Sequence, residues 1–120
     1  MDGMVFLIPI LLLFSSSIFA RCETYSRAGS PVKICWSKEL KGFVSERCQK
    51  SCLGKRFIQK HHGKARKLKT FGGANPASAQ CKFHGLAVHV LKDPRGAEQS
   101  FCVFADGSLV DSNAVARGLR

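Results

Sequence analysis

The sequence predicts a small disulfide-rich α+β protein, in which a Cys-rich basic N-terminal module precedes a helix–β-hairpin–short helix module. Three observations carry that expectation: an apolar leader, six cysteines that all follow it, and an excess of Lys and Arg confined to the first part of the chain. After removal of the leader, about fifty residues remain for each module, near the lower limit for an autonomous core, so cross-links are expected to matter.

Residues 1–20 carry a single charge, Asp2, and residues 5–14 form a nearly unbroken apolar run. The serines at 15–17 interrupt the run, and Ala20 followed by Arg21 suits cleavage after position 20 of a signal peptide. The segment before the apolar run lacks a Lys or Arg, and Ile18 is larger than the residue usual at its place. An uncleaved membrane anchor is the minority reading, because residues 3–20 approach the minimum spanning length, although Pro9 and the serines weaken it. A lipid anchor is excluded because Cys22 sits behind Arg21 rather than directly after a small residue. The expected location is therefore secreted or periplasmic.

Cys22, Cys35, Cys48, Cys52, Cys81 and Cys102 make an even set in a short exported chain, which reads as a cystine framework. A zinc site from Cys48, Cys52 and histidines would want a matching second pair, which the sequence lacks. No metal and no other cofactor is expected. In residues 21–54, Pro31-Val32-Lys33-Ile34-Cys35-Trp36 alternates enough for a short strand. Ser45 can cap a helix over residues 46–53, with Gly54 as its left-handed stop. Cys48 and Cys52 would then stand one turn apart on one helix face. That arrangement favours bonds outward to Cys22 and Cys35, in an order that spacing leaves open.

Residues 55–74 hold Lys55, Arg56, Lys60, Lys64, Arg66, Lys67 and Lys69, with His61 and His62 between them. Gly63 interrupts the run, and Phe57, Ile58, Ala65 and Leu68 form no clean helical stripe. The segment reads as a mobile basic connector, reset by Phe71-Gly72-Gly73-Ala74. Residues 21–70 contain fourteen Lys or Arg against three Glu, whereas residues 71–120 contain five against four acids. This asymmetry predicts two modules with different tasks.

The second module spans residues 75–120. Asn75 can accept from orphan amides and Pro76 fits a first helical turn, starting a helix that runs to about Phe83. Residues 86–91 form an apolar, β-branched run, Asp93-Pro94-Arg95-Gly96 is a turn, and residues 99–104 are the returning strand. Asp106-Gly107 turns the chain again, and Asp111 or Ser112 can cap a last short helix closed by Gly118.

The runs Asn75-Pro76-Ala77-Ser78-Ala79-Gln80-Cys81, Cys102-Val103-Phe104-Ala105-Asp106-Gly107-Ser108 and Ala116-Arg117-Gly118 carry a resemblance. They resemble a small bacterial envelope domain of unknown function whose members are labelled hemolysin (Hlx type). The resemblance covers the last 46 residues and leaves the N-terminal half unrecognised. The family pattern has cysteines where this chain has Val110 and Arg120, a tryptophan at Asn113 and a proline at Ala105. The paired absence implies that one disulfide was lost as a unit, leaving Cys81 and Cys102 for each other. Such a bond closes a loop of about twenty residues, worth roughly 3 kcal/mol in the chain-entropy view. The final helix, without staple or tryptophan, is expected to be the weakest part. The label itself supplies no lytic agent, because no apolar insertion helix or amphipathic strand repeat follows residue 20, and fold-level likeness does not supply function.

Catalysis finds no support: the sequence has no nucleophile elbow, no phosphate loop and no pair of buried carboxylates. His84 at a helix end and His89 in a strand read as structural or exposed. The basic run has a direct physical consequence, a positive potential that attracts polyanions in a salt-dependent way. The competing reading is a solvated linker whose charge serves solubility alone. For an exported protein the relevant surfaces are lipopolysaccharide, anionic lipid and acidic polysaccharide. Nucleic acid ranks behind them, since Phe57 and Phe71 give thin aromatic interleaving. Two functions remain: a non-catalytic envelope or extracellular binding protein gripping anionic surfaces, and a secreted toxin-like or inhibitory protein acting on a membrane or partner protein. The sequence leaves the oligomeric state open.

Overall fold

In a computed structural model, residues 21–65, 67 and 75–120 are described. The leader and its cleavage site lie outside the described residues, as do Arg66, Lys69 and the reset at 71–74. Strands β1 (Cys22–Arg27) and β2 (Ser30–Ser37) form a hairpin. Its two-residue turn, Ala28-Gly29, has positive φ at both positions, the mirror-image geometry that matches strand twist. Strand β3 (Gly42–Ser45) completes a three-stranded meander. A single turn of 3₁₀ helix (Glu46–Gln49) and helix α1 (Leu53–Lys60) follow. Helix α2 (Pro76–Phe83) then leads into a second meander of β4 (Ala87–Lys92), β5 (Glu98–Val103) and β6 (Leu109–Asp111), and helix α3 (Ser112–Leu119) ends the fold.

The two expected modules are one body. Their strands close a single antiparallel barrel in the order β1-β2-β3-β6-β5-β4. The seams between the meanders are narrow: Val44 faces Val110 across β3 and β6, and Ser26 faces Lys92 across β1 and β4. A pseudo-two-fold axis through those two pairs relates the meanders throughout. It takes Tyr25 to Leu91, Ile34 to Phe101, Cys35 to Cys102 and Phe43 to Leu109, and every strand register within one meander is reproduced in the other. Those side chains fill the barrel: Tyr25, Ile34, Leu91, Phe101 and Leu109 form one buried cluster, with Phe43 packed against it. A second core lies outside the wall, where Ile58, Val115 and Leu119 cover Val44, Val110, Phe104 and the cystines Cys48–Cys52 and Cys81–Cys102.

Several local expectations change in this setting. The helix expected over residues 46–53 is a 3₁₀ turn that breaks at Lys50, after which Cys52 is extended (φ −159°, ψ 162°) and caps α1. Cys48 and Cys52 therefore do not share a helix face. The bend brings their Cα atoms to 4.9 Å and they bond to each other. Cys22 and Cys35 are directly opposed in the β1–β2 register, Cα atoms 4.0 Å apart, and form their own bond. The outward pairing expected from helical spacing is thus overturned. Cys81 bonds Cys102. No disulfide crosses between the meanders, and no cysteine is free.

The first part of the expected mobile connector is helix α1. Gly54, read as a helix stop, is instead buried inside it, where an added Cβ would lie 2.7 Å from Val110 Cγ2 and 3.0 Å from Phe104 Cε2. Gly118, read as a closing residue, lies within α3, and a Cβ there would overlap Ile58. The last helix is seated through Val115, Leu119 and Ser112, all fully buried. Asn75 and Asp111 cap α2 and α3, accepting from the amides of Ala77 and Asn113.

Asp106 ties the halves together. Its carboxylate accepts from the Leu53 amide at the start of α1 (3.0 Å), from the Ser108 amide (2.9 Å) and from the Ser108 hydroxyl (2.6 Å), while Arg47 donates to its carbonyl. Burial opposes ionisation, but these donors and the Arg47 charge outweigh it and hold the carboxyl pKa down to about 2.

Two stability predictions follow from this packing. Gly54→Ala and Gly118→Ala should each destabilise by about 1–3 kcal/mol in urea denaturation, because overpacking outweighs the gain of about 1 kcal/mol in helix propensity. A stability gain would contradict the close approach. A carboxylate with a depressed native pKa contributes stability above its unfolded value and loses it as pH falls through about 2. Asp106→Ala should therefore cost about 2 kcal/mol at neutral pH. That difference should shrink progressively in parallel denaturation series taken down towards pH 2; a pH-independent difference would refute the linkage.

Candidate functional site

The candidate anion-binding residues do not act as one run. Lys55 lies on the inner side of α1, buried, with its Nζ 2.8 Å from Glu39, so its charge is spent within the fold. Arg56 and Lys60 stand one helical turn apart and both are exposed. His61 ends the helix with its ring stacked on Phe57 (4.1 Å between centroids) and its Nδ1–H donated to the Phe57 carbonyl. Lys64 follows, exposed, as does Lys67.

The chain leaving α1 is anchored on the end of α3. His62 Nδ1–H donates to the Gly118 carbonyl (3.0 Å), and the Ala65 amide donates to the Leu119 carbonyl (2.9 Å). Those contacts place Lys64 and Lys67 beside Arg117 and Arg120, two exposed cations of the C-terminal half. Cations at the end of α3 complement its carbonyl dipole. Lys67, Arg117 and Arg120 thus meet at the C-terminal end of α3, and together with the exposed Arg56, Lys60 and Lys64 they are termed the basic band.

A groove of about 590 Å³ opens within the band, between α2 and α3. Lys67, Arg117 and Arg120 border it, Asn75, Gln80 and Asn113 contribute polar groups, and no acid is among the described residues that line it. Arg117 also donates to the Lys41 carbonyl, which ties its guanidinium to the β2–β3 turn, where Glu39, Lys41 and His62 line a neighbouring groove with it. Lys41 itself sits at φ 53°, an uncommon conformation for a side-chain-bearing residue.

The other titratable groups lie elsewhere. Burial lowers the pKa of His89, reinforced by Arg27, and burial raises those of Asp111 and Tyr25. Tyr25 and Asp111 serve structure: the Tyr25 hydroxyl donates to Gln99 and Asp111 caps α3. Among the described residues no group of three or more His, Cys, Asp or Glu could hold a metal ion. No helix among them is long and apolar enough to cross a membrane.

The sequence expectation named Arg56, Lys60, Lys64 and Lys67 but not Arg117 and Arg120, because the near-neutral balance of the C-terminal half concealed them. Their grouping in the last helical turn was the available signal.

Residues 72–118 match the family model described as Domain of unknown function (DUF333). The match falls on the segment that carries the resemblance read from Asn75 to Gly118. It takes in α2, the second meander and nearly all of α3, and leaves out β1–β3 and α1. No curated protein and no solved structure matches the chain. The matched segment therefore supplies one of the two meanders and the α2–α3 walls of the groove, and its description states no activity.

The pairing of Lys55 has a chemical consequence. Acetylation with a limiting N-hydroxysuccinimide ester, followed by peptide mass spectrometry, should modify Lys60 and Lys64 well before Lys55. Equal labelling of the three would show that the Glu39 contact does not protect Lys55.

Proposed function

We propose that the protein is an exported, non-catalytic binding protein that grips anionic surfaces through the basic band. The class of partner is lipopolysaccharide, anionic lipid headgroups or acidic polysaccharide. One observation carries this reading: cations from both halves, distant in sequence, meet around an acid-free groove. The fields of cations that lie within a Debye length of one another, about 8 Å at physiological ionic strength, sum towards a polyanion. Three disulfides with no free cysteine support an oxidising compartment outside the cytosol.

The test is sedimentation of the disulfide-bonded full chain with phosphatidylglycerol vesicles across a salt series, with phosphatidylcholine vesicles as control. Affinity for the anionic vesicles should fall steeply with salt. The triple change Arg56→Ala, Lys60→Ala and Lys64→Ala should weaken it about a hundredfold at low salt, near 1 kcal/mol for each cation at an anionic surface. Lys55→Ala should leave it nearly unchanged. Salt-insensitive binding would overturn the reading, and so would leakage of vesicle contents, the outcome expected of a toxin-like protein.

A further inference from the structure

The groove between α2 and α3 differs from the rest of the band in being concave. An exposed row of cations such as Arg56 and Lys60 can meet an extended polyanion, but it does not enclose any one group. The groove does, with Lys67, Arg117 and Arg120 around a space of about 590 Å³, the size of a small-ligand site. Its walls also carry Asn75 and Asn113. The Asn75 side-chain oxygen accepts from the Ala77 amide and its NH₂ donates to the Ser100 hydroxyl (3.5 Å), which fixes the amide at the groove wall with one N–H to spare. One guanidinium nitrogen of Arg117 is committed to the Lys41 carbonyl outside the groove, and its remaining N–H groups are the ones left for a ligand.

We propose that this groove binds a phosphate monoester. The proposal rests on the anionic-surface reading and names the group recognised. Three cations with no acid among them are mismatched to a single carboxylate. A phosphate monoester carries about −1.5 to −2 charges at neutral pH and three strong acceptor oxygens, which suits guanidinium forks and amide donors together. Ala65, Pro76, Ala77 and Ala116 supply short apolar walls beside the cations, able to cover the carbon skeleton bearing the phosphate. That group could be borne on a lipid or on a soluble sugar.

The test is a heteronuclear NMR titration of the full disulfide-bonded chain with inorganic phosphate, glucose 6-phosphate and dihexanoyl phosphatidic acid, each against acetate at matched ionic strength. Saturable shifts are expected at residues 75–80 and 113–120 and are absent with acetate. Tighter binding of the phosphatidic acid than of the sugar phosphate assigns the source to lipid, and the reverse order assigns it to saccharide. Asn113→Asp places an acid at the groove wall, in the first turn of α3 where a carboxylate is tolerated. It should weaken phosphate-ester binding by roughly tenfold or more. Arg120→Gln should act in the same direction, while Arg56→Ala combined with Lys60→Ala leaves the ester affinity unchanged. Shifts spread evenly over the cationic surface, or equal with acetate, overturn the groove assignment. If vesicle binding persists while the ester titrations are blank, the groove fails and the band stands; if both are blank, the functional reading itself fails.

Discussion

Closure of the barrel is the constraint from which the rest of the structure follows. A three-stranded meander exposes two edges and one apolar face, so neither half of this chain can satisfy its own backbone or bury Tyr25, Ile34, Leu91 and Phe101 alone. Each large side chain taken into the interior contributes about 1.5–3 kcal/mol. The disulfides act at another level, since each fixes a hairpin, a bend or a helix within its own half. Sulfur therefore shapes the two pieces, and apolar packing across the seams joins them. The chain is less a pair of stapled modules than one core assembled from two similar parts.

The same closure creates the charged surface. Two glycines let α1 pack closely, Gly54 against Val110 of β6 and Phe104, and Gly118 of α3 against Ile58, and that approach lets the segment after α1 pass the last turn of α3. Only then do Lys64 and Lys67 come next to Arg117 and Arg120. A basic run that reads as a linker in one dimension becomes one side of a groove in three.

Much of the second half was legible in the sequence, because its signals are local and strong: Asn75-Pro76 starts α2, Asp93 to Gly96 turns β4 into β5, and Asp111 caps α3. The first half was less legible. Strands β3 and β6 have four and three residues, too short for a period to register, and β1 carries charged residues that mask its single inward Tyr25. The two-fold relation was hidden because its partners differ in chemistry, Tyr25 for Leu91 and Trp36 for Val103, with Cys35/Cys102 and Val44/Val110 as exceptions. Helical spacing misled the reading of Cys48 and Cys52, since a bend at Lys50 ended the helix that the spacing presumed. In the candidate surface, local charge density identified the contribution of α1, but the contribution of α3 depended on a tertiary contact that no local pattern encodes.

The two positions at which this chain departs from the cysteine pattern of the resembling domain acquire a physical meaning in the fold. Val110 is fully buried at the centre of the β3–β6 seam, facing Val44 and touched by α1. It is the contact through which the second meander receives the first. Arg120 stands at the rim of the groove. Val115 and Leu119 pack beneath α1, so the N-terminal half holds α3 in place. A hydrophobic seam between the halves thus fixes the helix whose last turn carries Arg117 and Arg120.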